Sequence, residues 1–212
     1  MTRKQRLSKI IELFQKHNPI PKTELDYKSH YQLIVAVILS AQCTDVRVNK
    51  ITPEFFKTFP NEKVLSKATE AAIFEKIKSC SYPNNKARNL KAMAEKLDKK
   101  YKGKLPSDPE EMQQLPGVGR KTAHVLASVL FNQNVIAVDT HVQRVSIRLG
   151  FAPEASTPLT VEKALVAIAP ADTLHNLHHW LILHGRYVCK ARKPLCSNCN
   201  IVDFCTYKYK EF

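Results

Sequence analysis

Apolar residues recur along this 212-residue chain mostly three and four positions apart, which is the spacing of one face of an α-helix. The first such stretch places Leu7, Ile10, Ile11 and Phe14 on a single apolar face. Residues 31–39 are apolar on every side, and this pattern predicts a central, buried helix.

The helical periodicity continues along most of the remaining sequence. It predicts further helices over residues 46–59, 70–78, 86–101, 118–131, 161–168 and 174–188. Asp108 and Pro109 are typical of the N-cap and first residue of a short helix, which ends before Pro116. Val135–Val138 is the one strand-like run, and we interpret it as a linker into a helix that begins at Thr140. With no partner strands for a sheet, the predicted fold class is all-α.

The composition adds a strong positive charge to this picture. Lys and Arg number 33 against 19 acidic residues, so the formal net charge is +14. Such an excess favours a polyanionic partner, and nucleic acid is the default. The longest apolar run, Leu33 to Leu39, is too short to cross a bilayer, so no membrane partner is expected. The N-terminal residues lead into no signal-peptide core, and a cytoplasmic protein is therefore expected.

Four of the six cysteines lie close together near the end of the sequence. Their spacing is C-x6-C-x2-C-x5-C, and the four residues are Cys189, Cys196, Cys199 and Cys205. Four thiolates suit either a structural zinc ion or a cubane iron–sulfur cluster. Zinc sites favour two short C-x2-C pairs and only one is present, so the spacing favours the cluster without excluding zinc.

Residues 115–123 join the short helix to a longer one through a Gly-x-Gly turn. Gly117 and Gly119 allow a tight turn and a close approach of another molecule to the backbone. The helix that follows presents its N-terminus and the basic residue Arg120, a combination suited to a phosphate. An ordinary turn between two helices is the alternative interpretation.

Two side chains near these segments are candidates for chemistry. Lys121 lies one helical turn from Val118 and Val125 and borders their apolar stripe, where partial desolvation would favour a nucleophilic amine. The alternative is a lysine whose stem runs along that stripe. Asp139 precedes the helix at Thr140, and either caps that helix or acts as a carboxylate near the amine.

Four segments, taken together, resemble the endonuclease III family of DNA glycosylase/lyases in the helix-hairpin-helix superfamily. They are residues 40–45, 115–123, 138–141 and 179–186, the last running into the four cysteines. The similarity covers nearly the whole chain in the same order. It implies two helical domains flanking a cleft, namely a helical barrel over 22–133 that ends in the hairpin, and a domain of 1–21 plus 134–212. The second domain is expected to carry a C-terminal [4Fe-4S] cluster loop, held by Cys189, Cys196, Cys199 and Cys205.

The resemblance also implies a bifunctional DNA glycosylase/AP lyase of base excision repair. Its substrate is double-stranded DNA with oxidised pyrimidines or abasic sites, and the expected state is a monomer in the bacterial cytoplasm, associated with the nucleoid. Lys121 would attack the deoxyribose C1′, and the resulting Schiff base would lead to β-elimination 3′ to the abasic site. Asp139 would help to generate the free amine and stabilise developing positive charge.

The remaining expected DNA contacts also come from the resemblance. Gln42 would fill the gap left by the flipped nucleotide, and Tyr82 would be a second wedge. The family usually has a glycine followed by leucine where this chain has Ser81 and Tyr82. Phosphate or further DNA contacts are expected at Gly117, Gly119, Arg120, His141, Lys190, Arg192 and Lys193.

Three other functions fit parts of the same pattern. The adenine-excising glycosylase of the superfamily shares the hairpin and the cysteine spacing, but it usually has a serine where this chain has Lys121. A glycosylase that only removes the base would use Asp139 to activate water. A non-enzymatic iron–sulfur DNA-binding protein is the third, and the pairing of Lys121 with Asp139 argues against it.

Overall fold

The computed structural model describes all 212 residues, and they form an all-helical protein without β-strands. Eleven α-helices follow one another along the chain, with short 3-10 turns at Ala171–Thr173, Cys196–Asn198 and Val202–Phe204. The helices are α1 (Arg3–His17), α2 (His30–Ser40), α3 (Asp45–Thr58), α4 (Glu62–Lys67), α5 (Glu70–Ile77), α6 (Pro83–Tyr101), α7 (Pro109–Met112), α8 (Arg120–Phe131), α9 (Thr140–Arg148), α10 (Pro158–Ile168) and α11 (Leu174–Tyr187). The predicted fold class is confirmed.

Side-chain caps fix where many of these helices begin. Thr2 and Gln5 form a reciprocal capping box at the start of α1, in which each side chain bonds the other residue's backbone N–H. Asp108 caps α7 as predicted, accepting from the Glu111 backbone N–H at 3.0 Å. These local bonds satisfy donors that the first turn of a helix leaves without partners.

One compact unit comprises residues 24–131 and is called here the hairpin unit. Its centre is α2, in which every residue from Leu33 to Leu39 is buried. Helix α6 contributes an amphipathic face, and its buried positions include Leu90, Met93 and Leu97. The continuous apolar character of α2 therefore reflects neighbours on all its sides, as the sequence predicted.

The other compact unit combines residues 1–23 with 132–212 and is called the cluster unit. Helix α1 packs its apolar face into the core that α9, α10 and α11 form. The Phe14 ring stacks on that of Trp180 with centroids 5.9 Å apart, and the indole N–H donates to the Asn18 carbonyl at 2.8 Å. The N-terminal helix is thus secured to a segment more than a hundred residues away in sequence.

The structure differs from the sequence-based prediction at two helices. Helix α4 was not predicted, since it is only six residues long and buries one residue, Leu65. Helix α6 begins at Pro83 and not at residue 86, because Pro83 takes the first helical position. Residues 135–138 form a linker, as interpreted from the sequence. The predicted domain boundaries differ from those of the two units by two residues. None of the helices combines the length and apolar character needed to cross a bilayer.

Candidate active site and metal centre

The turn between α7 and α8 is built around its two glycines. Gly117 has φ +80°, a left-handed conformation, and a Cβ there would lie 3.0 Å from the Asn89 Cβ. A Cβ on Gly119 would meet nothing within 4 Å. Packing within the chain therefore requires a glycine at 117, whereas the space at Gly119 is open to another molecule.

Lys121 lies in the first turn of α8, directly after this turn, and its side chain is exposed. The buried residues of α8 begin at Ala123 and continue to Ser128. The prediction that Lys121 is partly desolvated by the apolar stripe is therefore wrong. Its position instead places a flexible amine beside the open backbone of Gly119.

Gln42 and Tyr82 occupy two loops of the hairpin unit and share an uncommon backbone conformation. Each has φ of 54°, in the left-handed region that residues other than glycine rarely adopt. Both side chains are exposed, and Tyr82 keeps 62 % of its surface accessible. Lys102, Asn132, Ala155 and Lys193 also have positive φ, so this conformation does not by itself single out the two predicted wedge residues.

Lys86, which was not among the predicted site residues, connects the two loops. Its ammonium donates to the carbonyls of Leu39 at 2.8 Å and Ala41 at 2.7 Å, next to Gln42. Its backbone N–H donates to the Tyr82 carbonyl at 3.2 Å. The side chain is only 5 % exposed, and burial lowers the pKa of Lys86. The helical periodicity of the sequence could have indicated Lys86, because position 86 lies four residues before Leu90 on the buried face of α6.

In the cluster unit, Asp139 is the N-cap of α9. Its Oδ1 accepts from the backbone N–H groups of His141 and Val142, each at 2.8 Å. The cap uses one of the two carboxylate oxygens, so a role in capping leaves the other for chemistry. The side chain is held in place by backbone donors and is only partly buried.

His141 and the start of α9 are fixed by a close approach to α11. A Cβ on Gly185 of α11 would lie 3.0 Å from the His141 Cβ. The Arg144 guanidinium fills the space alongside, where Nη2 contacts His141 Nδ1 at 3.2 Å and donates to the Gly185 carbonyl at 2.8 Å. Its Nε donates to the Cys189 carbonyl at 3.2 Å, so Arg144 links His141 to the cysteine segment.

The four clustered cysteines line one small recess, with a cavity volume of about 20 Å³. Apolar side chains, among them Val145, Leu149 and Ile201, form much of the remaining wall. No three of the chain's His, Cys, Asp and Glu side chains are arranged to hold a single metal ion. A purely sulphur donor set around a recess with an apolar wall fits an iron–sulfur cluster.

Hydrogen-bonding groups contact two of these sulphurs. Arg148 Nη1 donates to Cys189 Sγ at 3.3 Å, and His184 Nε2 lies 3.7 Å from Cys199 Sγ. The Cys199 thiol also accepts from the Ile201 backbone N–H, although burial raises the pKa of Cys199 to about 11. Donors of this kind offset the negative charge that thiolate ligation concentrates. Neither Arg148 nor His184 was predicted as part of the metal centre.

Arg148 fixes the backbone of the basic segment between the first two cysteines. Its guanidinium donates to the carbonyls of Lys190 at 2.7 Å and Ala191 at 3.1 Å. The side chains of Lys190, Arg192 and Lys193 are exposed. The segment is therefore fixed through its backbone while its charges face solvent.

Comparison with known proteins agrees with this geometry. Residues 35–171 match the model of the HhH-GPD superfamily base excision DNA repair proteins, and residues 189–205 match the iron–sulfur binding domain of endonuclease III. Endonuclease III of Rickettsia felis is 47 % identical over 96 % of this chain and 95 % of its own. The Escherichia coli K12 enzyme is 41 % identical over 99 % of both chains. The chain belongs to the endonuclease III family.

Solved structures support the same assignment. A trapped endonuclease III–DNA covalent intermediate has a TM-score of 0.92 and 40 % identity, covering 97 % of each chain. A thermostable thymine-DNA glycosylase shares the fold, with a TM-score of 0.84 at 22 % identity. As an endonuclease III, this protein is a bifunctional DNA glycosylase and AP lyase of base excision repair, and its four C-terminal cysteines bind an iron–sulfur cluster, for which [4Fe-4S] was predicted.

Proposed function

We propose that this endonuclease III excises oxidised pyrimidines from double-stranded DNA, with Lys121 as the nucleophile. The observation that carries the assignment is the exposed Lys121 amine directly after a turn whose Gly119 leaves open space. The amine attacks C1′ of the damaged nucleotide, the base departs and an imine forms between Nζ and the sugar. Loss of a proton at C2′ then breaks the strand 3′ to the lesion.

Asp139 is the carboxylate that we assign to proton transfer and to stabilisation of positive charge on the sugar. Its Oδ1 is held by two backbone N–H groups of α9, which restricts the orientation of the other oxygen. A pre-oriented carboxylate loses little freedom when the reaction begins.

We assign DNA contacts to two kinds of residue. Gln42 and Tyr82 enter the helical stack around the extruded nucleotide, supported by the fixed loops that Lys86 joins. Phosphates lie against the backbone of Gly117 and Gly119 and the N-terminus of α8. Cationic or polar contacts come from Arg120, His141, Lys190, Arg192 and Lys193.

The cluster, when bound, supplies iron–thiolate bonds that close residues 189–205 into one segment. Arg148 already holds the backbone of this segment, so less conformational entropy is lost when its exposed cationic side chains bind phosphates.

The domains predicted from sequence stay a prediction, which the two compact units support. The monomeric state stays a prediction, and the bacterial relatives support the proposed location in a bacterial cytoplasm.

Reductive trapping tests the central assignment. Borohydride added during turnover of a thymine-glycol duplex is expected to give a covalent protein–DNA adduct, mapped by peptide sequencing to Lys121. Lys121→Ala is expected to lose both adduct and nicking, whereas Lys104→Ala, which removes another exposed lysine, retains both. An adduct of undiminished yield in Lys121→Ala contradicts the assignment.

A further inference from the structure

The linker of residues 135–138 leads directly to Asp139, the N-cap of α9, and lies outside any helix. Its last three residues, Ile136, Ala137 and Val138, are all buried. Since no helix pairs their backbone N–H and C=O groups, these buried groups need partners from other parts of the fold. The position of the linker therefore depends on the side chains that reach its backbone.

His178, on α11, supplies one such partner. Its Nδ1 lies 2.8 Å from the Ala137 carbonyl oxygen, in a buried hydrogen bond. A carbonyl oxygen only accepts, so Nδ1 carries the ring proton and donates it. His178 is 2 % exposed and Ala137 is 1 % exposed, so solvent does not reach this bond. Loss of the donor would leave a buried carbonyl without a partner.

Asp139 is oriented in part by this linker. Its backbone is extended and not helical, with φ −103° and ψ −174°. The position of an N-cap residue depends on the chain before it as well as on the helix after it. The backbone N–H groups of His141 and Val142 hold the carboxylate from the helix side. The bond from His178 to Ala137 holds the backbone from the linker side.

Helix α11 supports the chain on both sides of Asp139. His178 bonds the carbonyl two residues before it, and Gly185 allows a close approach of His141, two residues after it. His178 and Gly185 are seven residues apart in sequence, about two helical turns, so they lie on the same face of α11. A single helix face therefore fixes the backbone before and after the carboxylate.

We propose that His178 is a positioning residue for catalysis, which holds Asp139 toward the reacting sugar through the buried bond to Ala137. The ring is buried and acts on the reaction only through Asp139, so this role rests on the proposed function of that carboxylate. The alternative is a histidine that only fills the core. Core filling requires no donor at Nδ1, and this difference makes the two roles separable.

Loss of the bond is expected to affect the rate and not the binding of DNA. Leucine at position 178 remains apolar and bulky but cannot donate to Ala137. A displacement of about 1 Å at a catalytic group can cost about a hundredfold in rate. We expect His178→Leu to excise thymine glycol about 10- to 100-fold more slowly in single-turnover experiments with the holoenzyme. Its affinity for a tetrahydrofuran abasic duplex is expected to stay within about twofold of the native value, because the exposed DNA-contacting residues are unaltered.

Two amide variants distinguish positioning from packing. The amide nitrogen of asparagine is as many bonds from Cα as Nδ1 of histidine, whereas that of glutamine is one bond further away. His178→Asn is therefore expected to excise thymine glycol within about threefold of the native rate, and His178→Gln to remain at least about tenfold slower. Equal rates for the two amides overturn the positioning role, and this comparison decides the matter even if His178→Leu does not fold.

A double-mutant cycle with Asp139→Asn tests whether His178 acts through the carboxylate. If it does, adding His178→Leu to Asp139→Asn slows excision by less than about twofold, because the group that it positions is already absent. Equal slowing in the two backgrounds shows an effect independent of Asp139 and overturns the positioning role. Ile10→Ala on α1 is the control for general destabilisation, since it opens a cavity in the same core. It is expected to unfold at lower denaturant concentration and to excise at the native rate.

Failure of the positioning role can be told from failure of the proposed function. If Asp139→Asn excises thymine glycol as fast as the native protein, the proposed function of Asp139 fails and the role of His178 fails with it. If Asp139→Asn is slow but His178→Leu keeps the native rate, only the role of His178 is refuted.

Discussion

The Arg148 guanidinium donates a hydrogen bond to the sulphur of Cys189 at 3.3 Å. The same side chain holds the carbonyls of Lys190 and Ala191, and it lies over the Tyr207 ring at 4.4 Å from the centroid. One cation therefore connects the first ligand of the cluster, the backbone of the basic segment and the residues after the last ligand. Helix α9 bears this cation and begins at the cap formed by Asp139.

Replacing Arg148 with methionine keeps the aliphatic stem and removes every one of these donors. Charge-assisted hydrogen bonds contribute about 1.5–3 kcal/mol each when well formed, and we expect a net loss of about 2 kcal/mol because this site is partly exposed. For a protein of this size, that loss corresponds to a cluster-release midpoint about 4–8 °C lower. The measurement is the visible absorbance of the cluster during heating.

Lys163→Met on α10 is the matched control, since it also removes one exposed positive charge far from any cysteine in sequence. Its release midpoint is expected to equal that of the unaltered protein. Equal midpoints for Arg148→Met and Lys163→Met contradict the role given to Arg148.

Lys86→Met tests the connection between the two loops. The methionine leaves the carbonyls of Leu39 and Ala41 without their charged donor, and a buried unsatisfied group costs about 1–3 kcal/mol. We expect lower stability in denaturant titrations and, in addition, at least about tenfold weaker binding to an abasic duplex, because Gln42 loses its support.

Lys91→Met separates these two effects. Lys91 has the same chemistry, since its ammonium donates to the Ala68 carbonyl at 2.7 Å, but it secures the end of α4 and no predicted DNA-contacting loop. We expect Lys91→Met to lose stability while it keeps its affinity for DNA. A parallel loss of affinity in both variants shows that general destabilisation, and not the loop connection, is responsible.

The sequence predicted most of this fold because the helical period and the cap residues act locally. It also located the hairpin glycines and the cysteine segment, which are contiguous in sequence. Arg144, Arg148 and Lys86 were missed, since each acts on carbonyls brought close only by folding. The exposure of Lys121 was mispredicted for a related reason, because helical spacing alone does not say where the buried stripe of α8 begins.

Tyr82 stands where the family usually has leucine, and its aromatic ring gives a specific expectation. Stacking of a base on an aromatic side chain contributes about 1–3 kcal/mol, so Tyr82→Ala is expected to bind a tetrahydrofuran abasic duplex about 5- to 150-fold less tightly. Tyr82→Trp is expected to retain the affinity of the native protein. Binding is measured by fluorescence anisotropy at a fixed salt concentration.

Tyr209→Ala provides the control, because Tyr209 is similarly exposed but lies in the cluster unit after the last cysteine ligand. It is expected to leave the affinity unchanged. If Tyr82→Ala binds as tightly as Tyr209→Ala, Tyr82 does not act as a wedge in the DNA stack.

Acid sensitivity of the folded state is expected to trace in part to His179. Burial, followed by the neighbouring His178 and His175, lowers the pKa of His179 to about 3 from its usual 6.5. The folded protein keeps this ring neutral while the unfolded chain takes up a proton, so the stability it contributes is complete above about pH 6.5 and is lost as the pH falls toward 3. One such proton costs about 1.4 kcal/mol per pH unit, or about 2 kcal/mol between pH 6.5 and pH 5.

The free energy of unfolding is measured in guanidinium at pH 7 and at pH 5. Between these two pH values, His179→Phe is expected to lose about 2 kcal/mol less stability than the native protein. The control variant His17→Gln, at an exposed histidine, is expected to lose as much stability as the native protein does. An unchanged difference in His179→Phe assigns the acid sensitivity to other groups.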